Sequence, residues 1–189
     1  MVTEVDDYYQ NKHIFLNNDT LYVLGEFNQD VSNEVIPQMN DLVQRLSMTR
    51  DAQFEIIINS PGGYFDELLS ILYYIDVLKS MNVKIITKII GVADSCASML
   101  AIYGDERYMY KYATNLMHFG YYPLPTAKNY TDVNRCADNC KNHFDKIIDI
   151  YLNHSKLSEE EIKKLLNDDN LRLSAEKCLE YGLCDYIVY

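Results

Sequence analysis

The stretch Phe54-Glu-Ile-Ile-Ile-Asn-Ser-Pro-Gly-Gly63 decides the fold class. Residues 54–59 are rich in isoleucine and read as a strand, and Ser60-Pro61-Gly62-Gly63 ends it in a tight turn. Immediately after the turn, Phe65, Leu68, Leu69, Leu72, Ile75 and Leu78 recur at helical spacing. Working outward, 83–90 reads as a second strand stopped by Gly91, and a short apolar helix over about 95–103 is closed by Gly104-Asp105. Upstream, Leu21-Tyr-Val-Leu24 reads as a strand closed by Gly25. Residues 31–46 read as a helix with Ser32 at its cap and Pro37 within the tolerated first turns. Downstream, strands are expected near 107–110 and 115–118, then a loop over 121–128 with two prolines. A long helix follows over about 131–154. Ser158-Glu-Glu-Glu161 is a capping box for another helix. A last helix over 175–181 ends at Gly182, a residue suited to a C-cap, before a final strand over 185–188.

This alternation predicts a layered α/β fold with largely parallel strands. The long helix does not fit a compact crossover. At 1.5 Å per residue its roughly 24 residues span about 36 Å, which reads as a protrusion or an assembly element.

With 189 residues, 48% hydrophobic, the chain suits one sizeable core and is short for two. A net charge of −11 disfavours a phosphate backbone as partner, and no Lys/Arg cluster offsets it locally, so nucleic-acid binding is not expected. The first residues carry no basic segment followed by an apolar run, and no stretch reaches the ~18 apolar residues of a membrane span. A cytoplasmic protein without membrane contact is expected. The five cysteines are an odd number and suggest no disulfide framework. Cys136, Cys140 and His143 lie close together on the long helix, but no fourth zinc ligand stands at a familiar spacing, so they are read as ordinary helix residues and no metal site is expected. No cofactor is implied either.

Three features can carry chemistry. Asn59-Ser60-Pro61-Gly62-Gly63 lets the backbone turn sharply and present N–H groups beside a helix start, where they can stabilise an oxyanion; the plainer alternative is an ordinary strand-to-helix turn. Gly91-Val92-Ala93-Asp94-Ser95-Cys96-Ala97-Ser98 runs from a strand into a helix and places Ser95 at the strand's carboxyl end, where α/β proteins bind ligands. The commoner use of such a serine is as a helix N-cap. Asn115-Leu116-Met117-His118 ends a short strand with a histidine, the kind of base a serine hydroxyl needs to become a nucleophile.

Taken in order, these motifs resemble the Clp proteolytic subunit (ClpP) family of serine peptidases. Leu173-Ser174-Ala175-Glu176 and Glu180-Tyr181-Gly182-Leu183-Cys184-Asp185 are similar to that family too, so the resemblance spans about 21–188. Ala97-Ser98-Met99-Leu100-Ala101 with Gly104-Asp105-Glu106 is similar to the branch found in bacteriophage genomes. The resemblance implies a ClpP/crotonase-like layered α/β fold, with a parallel sheet and the long helix as a handle. It implies a single peptidase domain over 1–189, with an N-terminal segment over about 1–18 and a handle over about 126–157. By the same resemblance Ser95 is the nucleophile, His118 the general base, and the N–H groups of Gly63 and Cys96 the oxyanion hole. Ser98 offers a competing register, and Ser95 is preferred because it keeps the Gly91-to-serine spacing intact.

The third triad position, counted back from Leu173, falls on Asn170, with Asp169 one residue earlier and Asp168 two. The expectation is Asp169, brought into register by one extra loop residue, with Asn170 as the alternative. An asparagine there would hold the imidazole tautomer but stabilise the imidazolium less. Asp94, beside the nucleophile, departs from the family's small neutral residue; it either points away as a surface group or raises the His118 pKa. Asp66 and Glu67 are read as charges complementing a helix dipole.

The implied function is a serine endopeptidase subunit cleaving unfolded polypeptides inside two stacked heptameric rings fed by an AAA+ unfoldase. The alternatives are a non-catalytic or weakly active ring subunit and a phage capsid-maturation protease. Tyrosine is abundant at 17, including Tyr8, Tyr9, Tyr73, Tyr74, Tyr121 and Tyr122, and suits packing and subunit contacts. Tyr108, Tyr110 and Tyr112, on an alternating strand, are placed to line the unfoldase docking pocket.

Overall fold

The computed structural model describes residues 13–120, 129–168 and 171–189. Its strands are β1 (Ile14–Asn17), β2 (Thr20–Val23), β3 (Gln53–Ser60), β4 (Lys84–Asp94), β5 (Glu106–Tyr110), β6 (Thr114–Leu116), β7 (Leu173–Ser174) and β8 (Tyr186–Val188). All join one sheet in the order β1-β2-β3-β4-β5-β8, with β6 also on β4 and β7 on β6. From β2 to β8 that path is parallel, as is the β4–β6 pair. The β1–β2 hairpin and the β6–β7 pair are antiparallel. The helices are α1 (Ile36–Leu46), α2 (Phe65–Ser80), α3 (Cys96–Ile102), α4 (Tyr130–His154), α5 (Glu159–Leu166) and α6 (Ala175–Tyr181). This is the layered α/β fold, dominated by parallel strands, that the alternation predicts. Among the described residues no helix is long and apolar enough to cross a membrane.

The core follows from periodicity. On β3 the inward residues Phe54, Ile56 and Ile58 are fully buried, and they share one core with Leu68, Ile71, Ile75 and Leu78 of α2, also fully buried. Each large side chain enclosed this way contributes about 1.5–3 kcal/mol. The opposite face of the sheet carries charge: Lys88 pairs with Glu55, and Lys84 with Glu106 at 2.6 Å.

Four elements differ from expectation. The β1–β2 hairpin turns at Asn18-Asp19, with Asn18 in the left-handed region (φ 53°), a turn asparagine tolerates. The helix expected from residue 31 begins as a π-helical turn, Val31–Val35, before α1, with Pro37 in the first turn of α1. Ser32 caps nothing there; its N–H and hydroxyl donate to Glu67 Oε2 (3.0 and 2.6 Å), which ties this turn to α2. Gly91 does not stop β4, which continues to Asp94. A bulge between Ile58 and Ser60 pushes Asn59 towards β4, where its Oδ1 accepts the Val92 N–H at 3.0 Å. A Cβ at 91 would sit 2.3 Å from that Oδ1, so any larger residue there would displace the Asn59 side chain from its hydrogen bond.

The long α4 begins at an Asn129 cap and has no buried residue before Ile147. Its last turns are the anchor, through Ile147, Ile148, Ile150 and Tyr151. The capping box at Ser158 and Glu161 is present in both directions, and α6 ends on Gly182 at φ 69°. The expected loop over 121–128 and the N-terminal residues, with Tyr8, Tyr9, Tyr121 and Tyr122, lie outside the described residues.

Candidate active site

The divided edge of β4 creates the site. Ile86–Ile89 pairs with β5, and Val92–Asp94 then pairs with β6. Where β4 ends, the chain turns abruptly into α3, and the turning residue is Ser95, with φ 54° and ψ −121°. A non-glycine residue held there costs on the order of 1–3 kcal/mol, and the surroundings must enforce it. They do so by backbone hydrogen bonds: the Ser95 N–H donates to the Leu116 carbonyl (2.8 Å), and the Ser95 carbonyl accepts from the N–H groups of Ser98 and Met99 (3.0 and 3.3 Å). The Ser95 side chain makes no capping hydrogen bond, so the N-cap reading of this serine does not describe it.

Ser98 sits elsewhere. It is fully buried, its hydroxyl donates to Asn115 Oδ1 at 2.9 Å, and it accepts from the Tyr151 hydroxyl at 2.9 Å. That network joins α3, β6 and α4 behind the site, and burial pushes the Tyr151 phenol well above its ordinary value. It leaves Asn115 Nδ2 buried without a hydrogen-bond partner among the described residues.

The Gly62–Gly63 turn packs on the start of α3. Gly62 and Gly63 adopt φ 96° and 142°, and a Cβ on Gly62 would lie 2.7 Å from both the Asp94 carbonyl oxygen and Ser95 Cβ. Phe27 pins the turn from the other side: its N–H donates to the Gly62 carbonyl (2.7 Å) and its carbonyl accepts the Tyr64 N–H (2.8 Å). The Cys96 thiol donates to the Gly63 carbonyl at 3.1 Å, and burial pushes it up to about 12, so this thiol stays neutral. Among the described residues neither the Gly63 nor the Cys96 N–H donates to a backbone carbonyl outside a helix or strand. Both residues line the cleft that holds Ser95.

His118 follows β6 by two residues. The position a Cβ of Gly120 would take is 3.9 Å from both His118 Cε1 and Ser95 Oγ, so the imidazole and the hydroxyl border one small space. Both face a cleft of about 960 Å³, walled by Phe65, Met99 and Ile147 on its apolar side and by Asn139, Asn142, His143 and Lys146 of α4. His143 stacks edge-on to Phe65 (centroids 4.5 Å apart), and burial lowers its pKa. Cys136 and Cys140 line a different, apolar groove between α4 and α5, so the three residues first weighed as zinc ligands do not face one space.

Asp169 and Asn170 lie outside the described residues. Their neighbours do not. The Phe119 N–H, next to His118, donates to the Leu166 carbonyl at 3.2 Å, which brings the end of α5 alongside the histidine strand. Asp168 follows two residues on, exposed, and its carbonyl accepts the Leu171 N–H at 3.1 Å.

Asp94 is neither a surface group nor an uncompensated charge. It is 6% exposed, and Arg172 grips it with two hydrogen bonds of 2.7 Å, Nη1 to Oδ1 and Nη2 to Oδ2. Sequence reasoning missed Arg172 as the partner, as it missed Phe27. A buried carboxylate among small residues does call for a cation, but nothing in a single sequence says which of the basic residues supplies it.

A layered α/β protein whose Ser95 and His118 border one cleft at the carboxyl edge of its parallel strands is thus defined. The chain belongs to the Clp protease family, whose model matches residues 3–189. It is 29% identical over 176 residues to an "ATP-dependent Clp protease proteolytic subunit" of Ligilactobacillus salivarius, covering 92% of this chain and 84% of that protein. A protein of the same name from Mesostigma viride is 27% identical over 92% of this chain and 73% of its own length. A Cutibacterium acnes protein, "ATP-dependent Clp protease proteolytic subunit 1", is 28% identical over 99% and 82%. The chain is therefore a peptidase, of a family whose mechanism is of the serine type.

Proposed function

We propose that this chain is the proteolytic subunit of an energy-coupled serine endopeptidase, with Ser95 as nucleophile and His118 as general base. The observation that carries the reading is the shared space between Ser95 Oγ and the His118 ring, each 3.9 Å from one point, at a serine held in a strained turn. In acyl transfer, Oγ attacks the scissile carbonyl while His118 takes its proton. The carbonyl oxygen becomes an oxyanion facing the Gly63 and Cys96 N–H groups, a type of contact worth roughly 10²–10³-fold in rate per donor. His118 returns the proton to the leaving amine as the peptide bond breaks, leaving an acyl ester on Ser95. Water, deprotonated by His118, then releases the carboxylic acid and restores the serine. Asp169, or Asn170 in its place, orients the imidazole.

The assembly in this reading is two stacked heptameric rings of single-domain subunits in the cytoplasm, with the exposed stem of α4 as the contact between rings. An AAA+ unfoldase feeds polypeptides to the interior. Tyr108 and Tyr110 support a docking role, since with Ile86, Ile89, Ile90, Val188 and the single charged residue Lys88 they line a largely apolar hollow of about 610 Å³. Tyr112 lies outside that lining, because β5 ends at Tyr110, and it packs edge-on to Tyr110 instead. The alternative of a non-catalytic ring subunit drew on Asn170 and on a carboxylate beside the nucleophile; with Asp94 neutralised by Arg172, one of those two motives falls away.

The test is turnover of a fluorogenic peptide and of an unfolded protein by the assembled chain, with native mass spectrometry for ring size. The reading expects Ser95→Ala and His118→Ala each to lower turnover by about 10³-fold or more with the assembly intact. Equal turnover in wild type and Ser95→Ala would overturn it.

A further inference from the structure

We propose that the Asp94–Arg172 ion pair is a positioning clamp that sets the geometry of the serine–histidine centre, an inference that rests on the peptidase reading above. Three segments must be held together: Asp94-Ser95 at the end of β4, Leu116 to His118 at the end of β6, and the segment that leads from α5 into β7. Backbone hydrogen bonds hold the first two pairs of neighbours. β4 is bonded to β6 at Asp94↔Leu116 and through the Ser95 N–H, and β6 is bonded to β7 at Thr114↔Ser174 and Asn115↔Leu173. No ladder joins β7 to β4, because β6 lies between them.

Arg172, one residue before β7, spans that gap. Two strand spacings are about 9–10 Å, within reach of an extended arginine side chain and beyond reach of the backbone. Its fork meets both oxygens of Asp94 at 2.7 Å, and Nη1 also approaches Thr114 Oγ1 of the intervening strand at 3.5 Å. The side chain therefore straddles the strand whose continuation carries His118. A planar bidentate pair fixes orientation as well as distance. The Asp94 side chain is 9% exposed and that of Arg172 48%, so the anchor point is the carboxylate and the arginine the movable member.

The clamp thus connects the residue before Ser95 with the residue before β7. A shift of about 1 Å at a reacting centre can cost about 10²-fold in rate. The clamp touches neither substrate nor the reacting atoms, so it acts by placing Ser95 and His118, and kcat is the quantity it governs.

The experiment is a double-mutant cycle in the full chain, read as kcat and KM on a fluorogenic peptide and as the rate of fluorophosphonate labelling of Ser95. Arg172→Met and Asp94→Asn are made singly and together, with Arg172→Lys as the conservative variant and native mass spectrometry for assembly. Arg172→Met is expected to lower kcat and the labelling rate about 10- to 100-fold, with KM within about threefold of wild type. Arg172→Lys, which keeps the charge and loses the fork, should recover part of that loss. The double variant should be no slower than Arg172→Met, since removing the stranded carboxylate removes the penalty for burying it unpaired. If Arg172→Met does not fold, the comparison rests on Arg172→Lys and on Asp94→Asn. The clamp is refuted if folded, assembled variants keep kcat and labelling within twofold, or if the two substitutions multiply independently. Absence of turnover and labelling in wild type would instead refute the peptidase reading and take the clamp's role with it.

Discussion

The two sides of the cleft are secured by different means. On the serine side, Gly62-Gly63, Phe27, Ser95 and Leu116 are locked by backbone hydrogen bonds, above a floor of Ala93, Cys96, Ala97 and Met99, all at most 3% exposed. On the other side Asn167, Asp168, Leu171 and Arg172 are exposed, and Arg172 reaches Asp94, the residue before Ser95, by an ion pair between positions 78 residues apart. The serine side cannot move without breaking the sheet. The other is held to the β6 segment by the short β7 ladder and the Phe119–Leu166 hydrogen bond, and to Asp94 by a half-exposed guanidinium. Rigidity around Ser95 and a more exposed tie at Arg172 are what this difference teaches, and substitutions on each side should separate them.

The largest effect is expected on the rigid side without any change of shape. Ser95→Ala should lower peptide turnover by about 10³-fold or more, with the melting temperature unchanged or raised, since alanine removes only the hydroxyl. Gly63→Ala comes next. Its Cβ would lie 2.3 Å from the Phe27 carbonyl oxygen and 2.5 Å from the Phe27 nitrogen, both backbone atoms that cannot step aside. Under the proposed oxyanion role of Gly63, turnover should fall by about 10²-fold, and denaturant titration should show a loss of about 3 kcal/mol or more. Across the cleft, Arg172→Met should cost turnover without such a loss of stability, which is the signature of a tie rather than a frame.

Behind the site, Tyr151→Phe removes the hydroxyl that donates to Ser98 at 2.9 Å. The expected cost is about 1–2 kcal/mol in thermal or chemical unfolding, with kcat changed less than about threefold. The smallest effect lies at the far edge of the sheet. A side-chain hydrogen bond from Arg107 holds the Asp185 carboxyl below its ordinary range, with the coulombic pull of the same guanidinium added. Because the folded value is the lower one, this pair stabilises above the unfolded pKa of about 4 and is lost as pH falls through the folded value. Asp185→Asn should flatten the stability curve below about pH 4 and leave turnover at neutral pH unchanged, as pH-resolved melts would show.

The same division separates what was legible in the sequence from what was not. The alternation of strands and helices, the Gly62-Gly63 turn, the Ser158 capping box and the Gly182 stop are all readable because each depends on residues within a few positions of one another. The placement of Ser95 and His118 at the ends of strand segments was legible for a related reason: short motifs end there. β4 was misread at Gly91 because the cause, a bulge opposite Asn59, lies on a neighbouring strand. The hairpin of β1 and β2 was missed although Asn17-Asn18-Asp19 carries its turn chemistry. The role of Asp94 was undecidable, since its partner Arg172 arrives only through the sheet. Tyr112 shows the opposite error, an alternation carried past the end of its strand.

The account turns on which serine is the nucleophile. Treatment of the assembled protein with a fluorophosphonate, followed by intact-mass and peptide mapping, tests this directly. The account predicts one adduct per subunit on Ser95, absent in Ser95→Ala, retained in Ser98→Ala, and formed more slowly in Arg172→Met. No adduct on Ser95 in folded, assembled protein, or an adduct on Ser98, would contradict it.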